Sequence, residues 1–243
     1  NEPADIYIIN TCSVTNMADK KSRQIIHRMR RENPEAVVVA TGCYVQSSGE
    51  ALLEDGTIDL IIGNNRKKDI VRLLTEYIDQ NTISDSFVDI NNEPEYENLS
   101  IRIPENHTRA YVKIQDGCNN FCTYCIIPHV RGRVRSKKAS DIISEARLLA
   151  SNGVKEIILT GINVSAYSDT TSDDIKELRL ADIIRMVSDV EGIERIRLSS
   201  IEPRTITKEF LDTVSGISKF CPHFHLSLQS ACNNTLKAMN RHY

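Results

Sequence analysis

The chain has 243 residues, is 40% hydrophobic and 26% charged, and carries a formal net charge of −3, the composition of an ordinary globular protein with one large or two smaller domains. No run approaches the roughly 20 apolar residues that a membrane span needs, and the opening Asn1-Glu2-Pro3-Ala4-Asp5 has no signal-peptide character. Seven cysteines without framework spacing point to metal or redox use in a reducing, cytoplasmic compartment rather than to disulfides.

The first 80 residues alternate strand and helix. Asp5 to Asn10 is a short apolar run of the kind buried in parallel sheets. From Asn16 to Glu32 the pattern is helical, with Ile25, Ile26 and Met29 on one face, and Asn33-Pro34 stops it. Ala36 to Thr41 predicts a second buried strand, Glu50 to Leu53 a short helix, Ile58 to Ile62 a third strand, and Lys67 to Ile78 an amphipathic helix. This βαβαβα order implies a parallel sheet covered by helices. Cys12 and Cys43 follow the first and second strands, so both are aimed at the edge where parallel sheets bind ligands. Two small buried residues are an equally good reading of them.

Residues 82–107 are acidic and aperiodic, and a linker is expected there, between a domain at 1–81 and another at 108–243. Ala110 to Gln115 reads as a strand, followed by Cys118-Asn119-Asn120-Phe121-Cys122-Thr123-Tyr124-Cys125. Three thiols so close converge only on a common partner. They cannot all pair with one another, and such short spacings suit unstrained disulfides poorly. A soft metal centre fits better, either an iron–sulfur cluster or zinc with His129 as fourth ligand.

Strand then helix repeats in the second half. Ser140 is a plausible cap for a helix from Asp141 to Ser151 that ends at Asn152-Gly153. Strands are predicted at Glu156–Thr160, Arg195–Leu198 and His223–Leu228, and helices at Leu180–Val190 and Lys208–Val214. The fold class is therefore α/β, a parallel βαβ sheet domain followed by a partial TIM-like barrel of four units.

Charge is segregated. Residues 17–31 carry Lys20, Lys21, Arg23, Arg28, Arg30 and Arg31 against Asp19 alone. Residues 109–138 carry Arg109, Lys113, Arg131, Arg133, Arg135, Lys137 and Lys138 against Asp116 alone. A basic rim around a reactive loop suits a polyanionic substrate, although charge runs are commonly just solvated faces.

The spacing CxxxCxxC resembles that of the radical S-adenosylmethionine (SAM) enzymes. Asn10-Thr11-Cys12, Thr41-Gly42-Cys43, Cys118 to Cys125 with Ile126-Ile127-Pro128, Arg131-Gly132, the run Arg197 to Pro203, and Leu228-Gln229-Ser230 resemble the methylthiotransferases of that group in order and spacing. Val14 to Asp19 and Gln115 to Cys122 look most like the branch that thiomethylates threonylcarbamoyladenosine next to the tRNA anticodon. The branches acting on isopentenyladenosine or on a ribosomal-protein aspartate look less similar.

The resemblance implies two 4Fe–4S clusters and SAM. Cys118, Cys122 and Cys125 would be the catalytic ligands of the first cluster, which leaves one iron open to SAM. Cys12 and Cys43 would be two of three ligands of an auxiliary, sulfur-delivering cluster. The third lies upstream in the family, whose barrel is also longer and is followed by a small RNA-binding domain, so the chain is expected to be a fragment. Expected SAM contacts at carboxyl ends of strands are Tyr124 (backbone), Thr160, Gly161, Ile162, Asn163, Ser199, Glu202 and Gln229. Arg131, Arg133, Arg135 and Lys138 would hold phosphates of a tRNA anticodon loop. A protein electron donor is implied, and no membrane. Cys221 and Cys232 match no ligand and are expected to be packing residues. A zinc-stabilised RNA-binding module built on the same cysteines is the alternative of a different class.

Overall fold

The computed structural model describes residues 3–54, 56–80, 86–99, 108–170 and 177–243. Its contacts divide the chain into two compact units. One runs through Glu97 and includes Tyr124–Arg133; the other comprises Asn98–Thr123 and Val134–Tyr243.

The first unit is built on a parallel sheet in the order β1 (Ile6–Thr11), β2 (Val37–Gly42), β3 (Leu60–Ile62). Helix α1 (Asn16–Glu32) connects the first two strands over the span its periodicity predicts. The Thr15 hydroxyl accepts from the Ala18 N–H at 3.1 Å and caps its amino end. Ile26, Val38, Ala40, Val45, Ile58 and Ile61 form a core on one face of the sheet. Val39, Leu60, Ile62 and Leu73 form another on the opposite face, as continuous apolar strands require.

Two local expectations are corrected. Helix α2 (Cys43–Ser48) follows β2 directly, and Gly49–Leu53 is a 3₁₀ turn where a helix from Glu50 was expected. Glycines of positive φ bracket the helix, Gly42 at +101° and Gly49 at +61°. They let the chain turn sharply at both ends. The predicted helix from Lys67 begins as a 3₁₀ turn at Lys67–Asp69 and becomes α3 at Ile70–Gln80. Of the acidic stretch, the described part 86–99 is irregular but not free-standing. The Gly63 N–H donates to Ser86 O at 2.8 Å, and Gln46 Nε2 to Val88 O at 2.9 Å. Residues 81–85 and 100–107 lie outside the described set. The Tyr124–Arg133 segment contains the short helix α4 (Ile127–Val130).

The second unit has a four-stranded sheet in the order β5 (Arg135–Ser136), β4 (Arg109–Asp116), β6 (Glu156–Gly161), β9 (Arg195–Leu198). Strands β4, β6 and β9 run parallel, and β5 is antiparallel to β4. Helices α5 (Ala139–Ser151), α6 (Leu180–Ser188) and α7 (Lys208–Ser215) belong to this unit. Buried Ile142, Ala146, Leu149, Ile183, Ile184, Val187, Phe210 and Val214 pack with the sheet residues Val112, Ile157, Leu159 and Ile196 in one core. A two-stranded ladder, β7 (Ser168–Asp169) with β8 (Leu178–Arg179), precedes α6. Helix α8 (Asn233–Ala238) lies near the end of the chain.

The strand expected at His223–Leu228 is absent. A single parallel bridge, Ile201 with Leu226, falls in that stretch, and another, Ile196 with Phe220, just before it. Pro222 supplies no N–H for a ladder. Helix α5 begins at Ala139, ahead of the expected Ser140 cap, because Asp169 Oδ2 accepts from the Ala139 N–H at 2.7 Å. Among the described residues no helix is long and apolar enough to cross a membrane.

Candidate functional site

In the second unit, the parallel strands β4, β6 and β9 end on one edge, and each exit carries predicted site residues. Strand β4 leads into Gly117 (φ +72°) and the cysteine loop, in which Phe121 also adopts positive φ (+48°). These two left-handed residues fold the chain back between Cys118 and Cys122. Gln115, fully buried, anchors the turn. Its Nε2 donates to Asp116 O and Gly117 O at 2.7 Å, and its Oε1 accepts from the Asn163 N–H at 2.7 Å. Gly161 is required by this packing, since a Cβ there would lie 2.7 Å from Gln115 O.

Asn163, just past the end of β6, is buried and directs Nδ2 toward Cys118 Sγ at 4.0 Å. Burial pushes the Cys118 thiol up, opposed by hydrogen bonds from the Asn120 backbone and the Asn163 side chain. Ligation must therefore remove a proton that burial favours. Past β9, the Ser199 Oγ is buried without a hydrogen-bond partner among the described residues. Glu202, also buried, accepts from Asn120 and from Arg204 Nε at 2.7 Å. Thr160 and Gly161 are half-buried at the same edge, whereas Gln229 (φ +60°) is exposed.

Three residues escaped the sequence reading. Asn240 Nδ2 donates to the carbonyls of Asn120 and Phe121, both at 3.1 Å. Arg241 Nη1 lies 3.2 Å from the buried Cys122 Sγ. The Thr123 N–H donates to Met239 O at 3.2 Å. The end of the chain thus holds the cysteine loop in this unit. No periodicity or motif in Met239-Asn240-Arg241 signals that contact with residues over a hundred positions away.

Tyr124 and Cys125 fall in the segment grouped with the first unit; Tyr124 is exposed and Cys125 half-buried. His129 is exposed on α4. Also in the first unit, the register Thr11↔Gly42 places Cys12 and Cys43 one step beyond paired strand ends. Thr11 Oγ1 donates to Thr41 O at 2.5 Å, and Ser22 Oγ donates to Cys12 O at 3.2 Å. Cys12 is exposed and Cys43 buried. The Thr41 Oγ1 and Ser13 Oγ beside them are buried without hydrogen-bond partners among the described residues.

Exposure varies along the basic run. Arg133 and Lys138 are exposed and Arg131 is half-buried, but Arg135 is only 5% exposed. It stands opposite Asp116 where β5 pairs with β4. Lys137, 1% exposed, forms an ion pair with Glu145.

Among the described residues no three Cys, His, Asp or Glu side chains form an assembled metal site. The fit to a cluster therefore rests on donor chemistry. Three free thiols in one eight-residue loop are the soft donors that iron–sulfur clusters take, and the unpartnered Ser199 hydroxyl suits a polar ligand at the same edge.

Comparison with known proteins agrees. Residues 112–243 match the model of the radical SAM superfamily, and residues 1–63 match that of an uncharacterised family, UPF0004. The threonylcarbamoyladenosine tRNA methylthiotransferase MtaB of Aquifex aeolicus is 41% identical over 99% of the chain, and that of Bacillus subtilis 39% identical over 100%. The tRNA-2-methylthio-N(6)-dimethylallyladenosine synthase of Thermodesulfovibrio yellowstonii is 36% identical over 99%. The chain spans 57%, 53% and 54% of these three relatives, respectively. Among solved structures, the radical SAM methyltransferase TsrM of Kitasatospora setae aligns with TM-score 0.65 over 98% of this chain and 52% of its own, at 17% identity. The cobalamin-dependent SAM radical enzyme OxsB aligns with TM-score 0.59 over 98% of this chain and 37% of its own, at 14% identity. With a family model covering more than half of its residues and a cysteine loop at the exit of β4, the chain belongs to the radical SAM superfamily.

Proposed function

We propose that the protein containing this chain is a radical-SAM methylthiotransferase that adds a methylthio group to C2 of N6-threonylcarbamoyladenosine beside the tRNA anticodon. The observation that carries the branch is the 41% identity, over 99% of the chain, to an enzyme named for that reaction. The 4Fe–4S cluster and SAM supply, when bound, the one-electron chemistry that side chains lack.

The chain's own residues would bind and orient. Cys118, Cys122 and Cys125 would hold three irons and leave the fourth to SAM. Asn163, Ser199 and Glu202, past the ends of β6 and β9, would receive polar groups of SAM, with Thr160, Gly161, Gln229 and the Tyr124 backbone as further candidates. Cys12 and Cys43 would contribute to a second cluster, a role supported by the paired ends of β1 and β2 and by the unpartnered Thr41 and Ser13 hydroxyls. Arg133 and Lys138, both exposed, would take phosphates, with the half-buried Arg131 as a further candidate. A protein electron donor and a cytoplasmic location belong to the same reading, as does the division into a domain at 1–81, a linker and a domain at 108–243.

Nucleoside mass spectrometry of total tRNA tests the proposal. A strain lacking the coding sequence should lose 2-methylthio-threonylcarbamoyladenosine and keep 2-methylthio-isopentenyladenosine. Reintroducing the intact coding sequence should restore the missing nucleoside, and reintroducing the Cys122→Ala form should not. Loss of the isopentenyl nucleoside instead would move the chain to the other branch.

A further inference from the structure

Arg241 is held on several sides within the second unit. Its side chain is 8% exposed and touches five groups within the second unit. Nη1 lies 3.2 Å from Cys122 Sγ, and Nη2 3.4 Å from both Ser227 O and Glu202 Oε1. Nε donates to the Tyr243 hydroxyl at 3.2 Å, and the guanidinium carbon stands 4.8 Å from the centre of the Tyr243 ring. Tyr243 is itself fixed, its hydroxyl donating to Ser227 O at 2.8 Å. The Arg241 N–H closes the turn onto Leu236 O at 2.9 Å, while Asn240 holds the carbonyls of Asn120 and Phe121. The planar fork is thus immobilised with one N–H aimed at a sulfur.

An arginine does not deprotonate in a protein. A permanent charge donating a hydrogen bond to a cluster-ligating sulfur stabilises the more negative, reduced cluster relative to the oxidised one. We propose that Arg241 is a positioning residue that raises the reduction potential of the cluster held through Cys122, by its Nη1–H donating to that sulfur. This rests on the reading that Cys122 ligates iron. It goes beyond that reading in assigning an electronic role to a residue outside the cysteine loop.

The test is a dithionite redox titration of the anaerobically reconstituted chain, followed through the EPR signal that changes when SAM is added. Arg241→Gln should keep its iron and sulfide content and be about tenfold harder to reduce, a fall of about 59 mV for one electron. Arg241→Lys, which keeps the charge but loses the fork, should fall by less. A wild-type potential in either variant that retains its cluster overturns the proposal. If the glutamine form loses its cluster, the lysine form decides by the same criterion. Loss from both overturns it too, because Arg241 would then be structural. Cys122→Ala separates the two levels of the argument. If that variant keeps the SAM-responsive signal, the ligand assignment fails, and this proposal with it. If it loses the signal while Arg241→Gln titrates like wild type, this proposal alone fails.

Discussion

Gly42 is the position at which one methyl group should do most damage. It ends β2 at φ +101°, ψ −163°, a region open essentially to glycine alone, where another residue costs about 1–3 kcal/mol. A Cβ built there lies 2.3 Å from Thr11 O and 2.9 Å from both Thr11 N and Asn10 Oδ1. Two of those three atoms are backbone of the paired strand and cannot swing aside, so the strand ends must separate, at a further cost of about 1–3 kcal/mol. Gly42→Ala should therefore destabilise the first unit by about 2–6 kcal/mol. Urea unfolding followed by circular dichroism reads this as a lower midpoint at unchanged slope. The same change should expose the buried Cys43 thiol. In a chain keeping Cys43 as its sole cysteine, reaction with a disulfide reagent should change from slow to fast. A stability within about 0.5 kcal/mol of wild type, the range of innocuous surface substitutions, together with unchanged thiol reactivity, would refute the steric argument.

Other outcomes follow from charged side chains. Glu145→Ala leaves the Lys137 ammonium buried and unpaired and should cost about 3–5 kcal/mol, whereas Lys137→Met with Glu145→Leu should come close to neutral; a double-mutant cycle in urea distinguishes them. Glu156, its side chain 4% exposed, meets Arg109 at 2.7 Å, Arg195 at 2.8 Å and Arg197 at 3.3 Å. The Arg195 hydrogen bond, against the opposing effect of burial, holds its carboxyl below the usual range. Its contribution is therefore complete above the unfolded value of about 4.3 and lost as pH falls through the lower folded value. Stability curves of wild type and Glu156→Gln should converge on acidification below that value, and parallel curves would contradict the assignment. Binding of a tRNA anticodon stem-loop should weaken steeply with salt, and replacing Arg133 and Lys138 together should flatten that dependence by about two counterions; replacing Arg135, which is buried, should not change the slope.

Much of this was legible in the residues because the physics is local. Helix α1 and strand β9 fall where periodicity places them, since an amphipathic stripe and a Pro stop need no tertiary help. Helix α2 escaped because Cys43 to Ser48 has no stripe; glycines of positive φ set its limits. The failed strand at His223–Leu228 shows the reverse, a β-like pattern interrupted in its pairing beside Pro222. Charge patterning does not show which basic residues are buried. Arg135 and Lys137 look like a solvated run, yet strand pairing and Glu145 bury them. The thiols of the candidate site were readable from spacing, but Asn240 and Arg241 were not, because the contact that gives them a role spans about half the chain.

The direct measurement is metal and spectroscopic analysis of the chain purified and reconstituted without oxygen. The account predicts brown protein containing iron and acid-labile sulfide, with an EPR signal that depends on Cys118, Cys122 and Cys125 and changes on addition of SAM. Colourless protein carrying zinc, or a cluster indifferent to SAM because His129 closes the fourth corner, would contradict it.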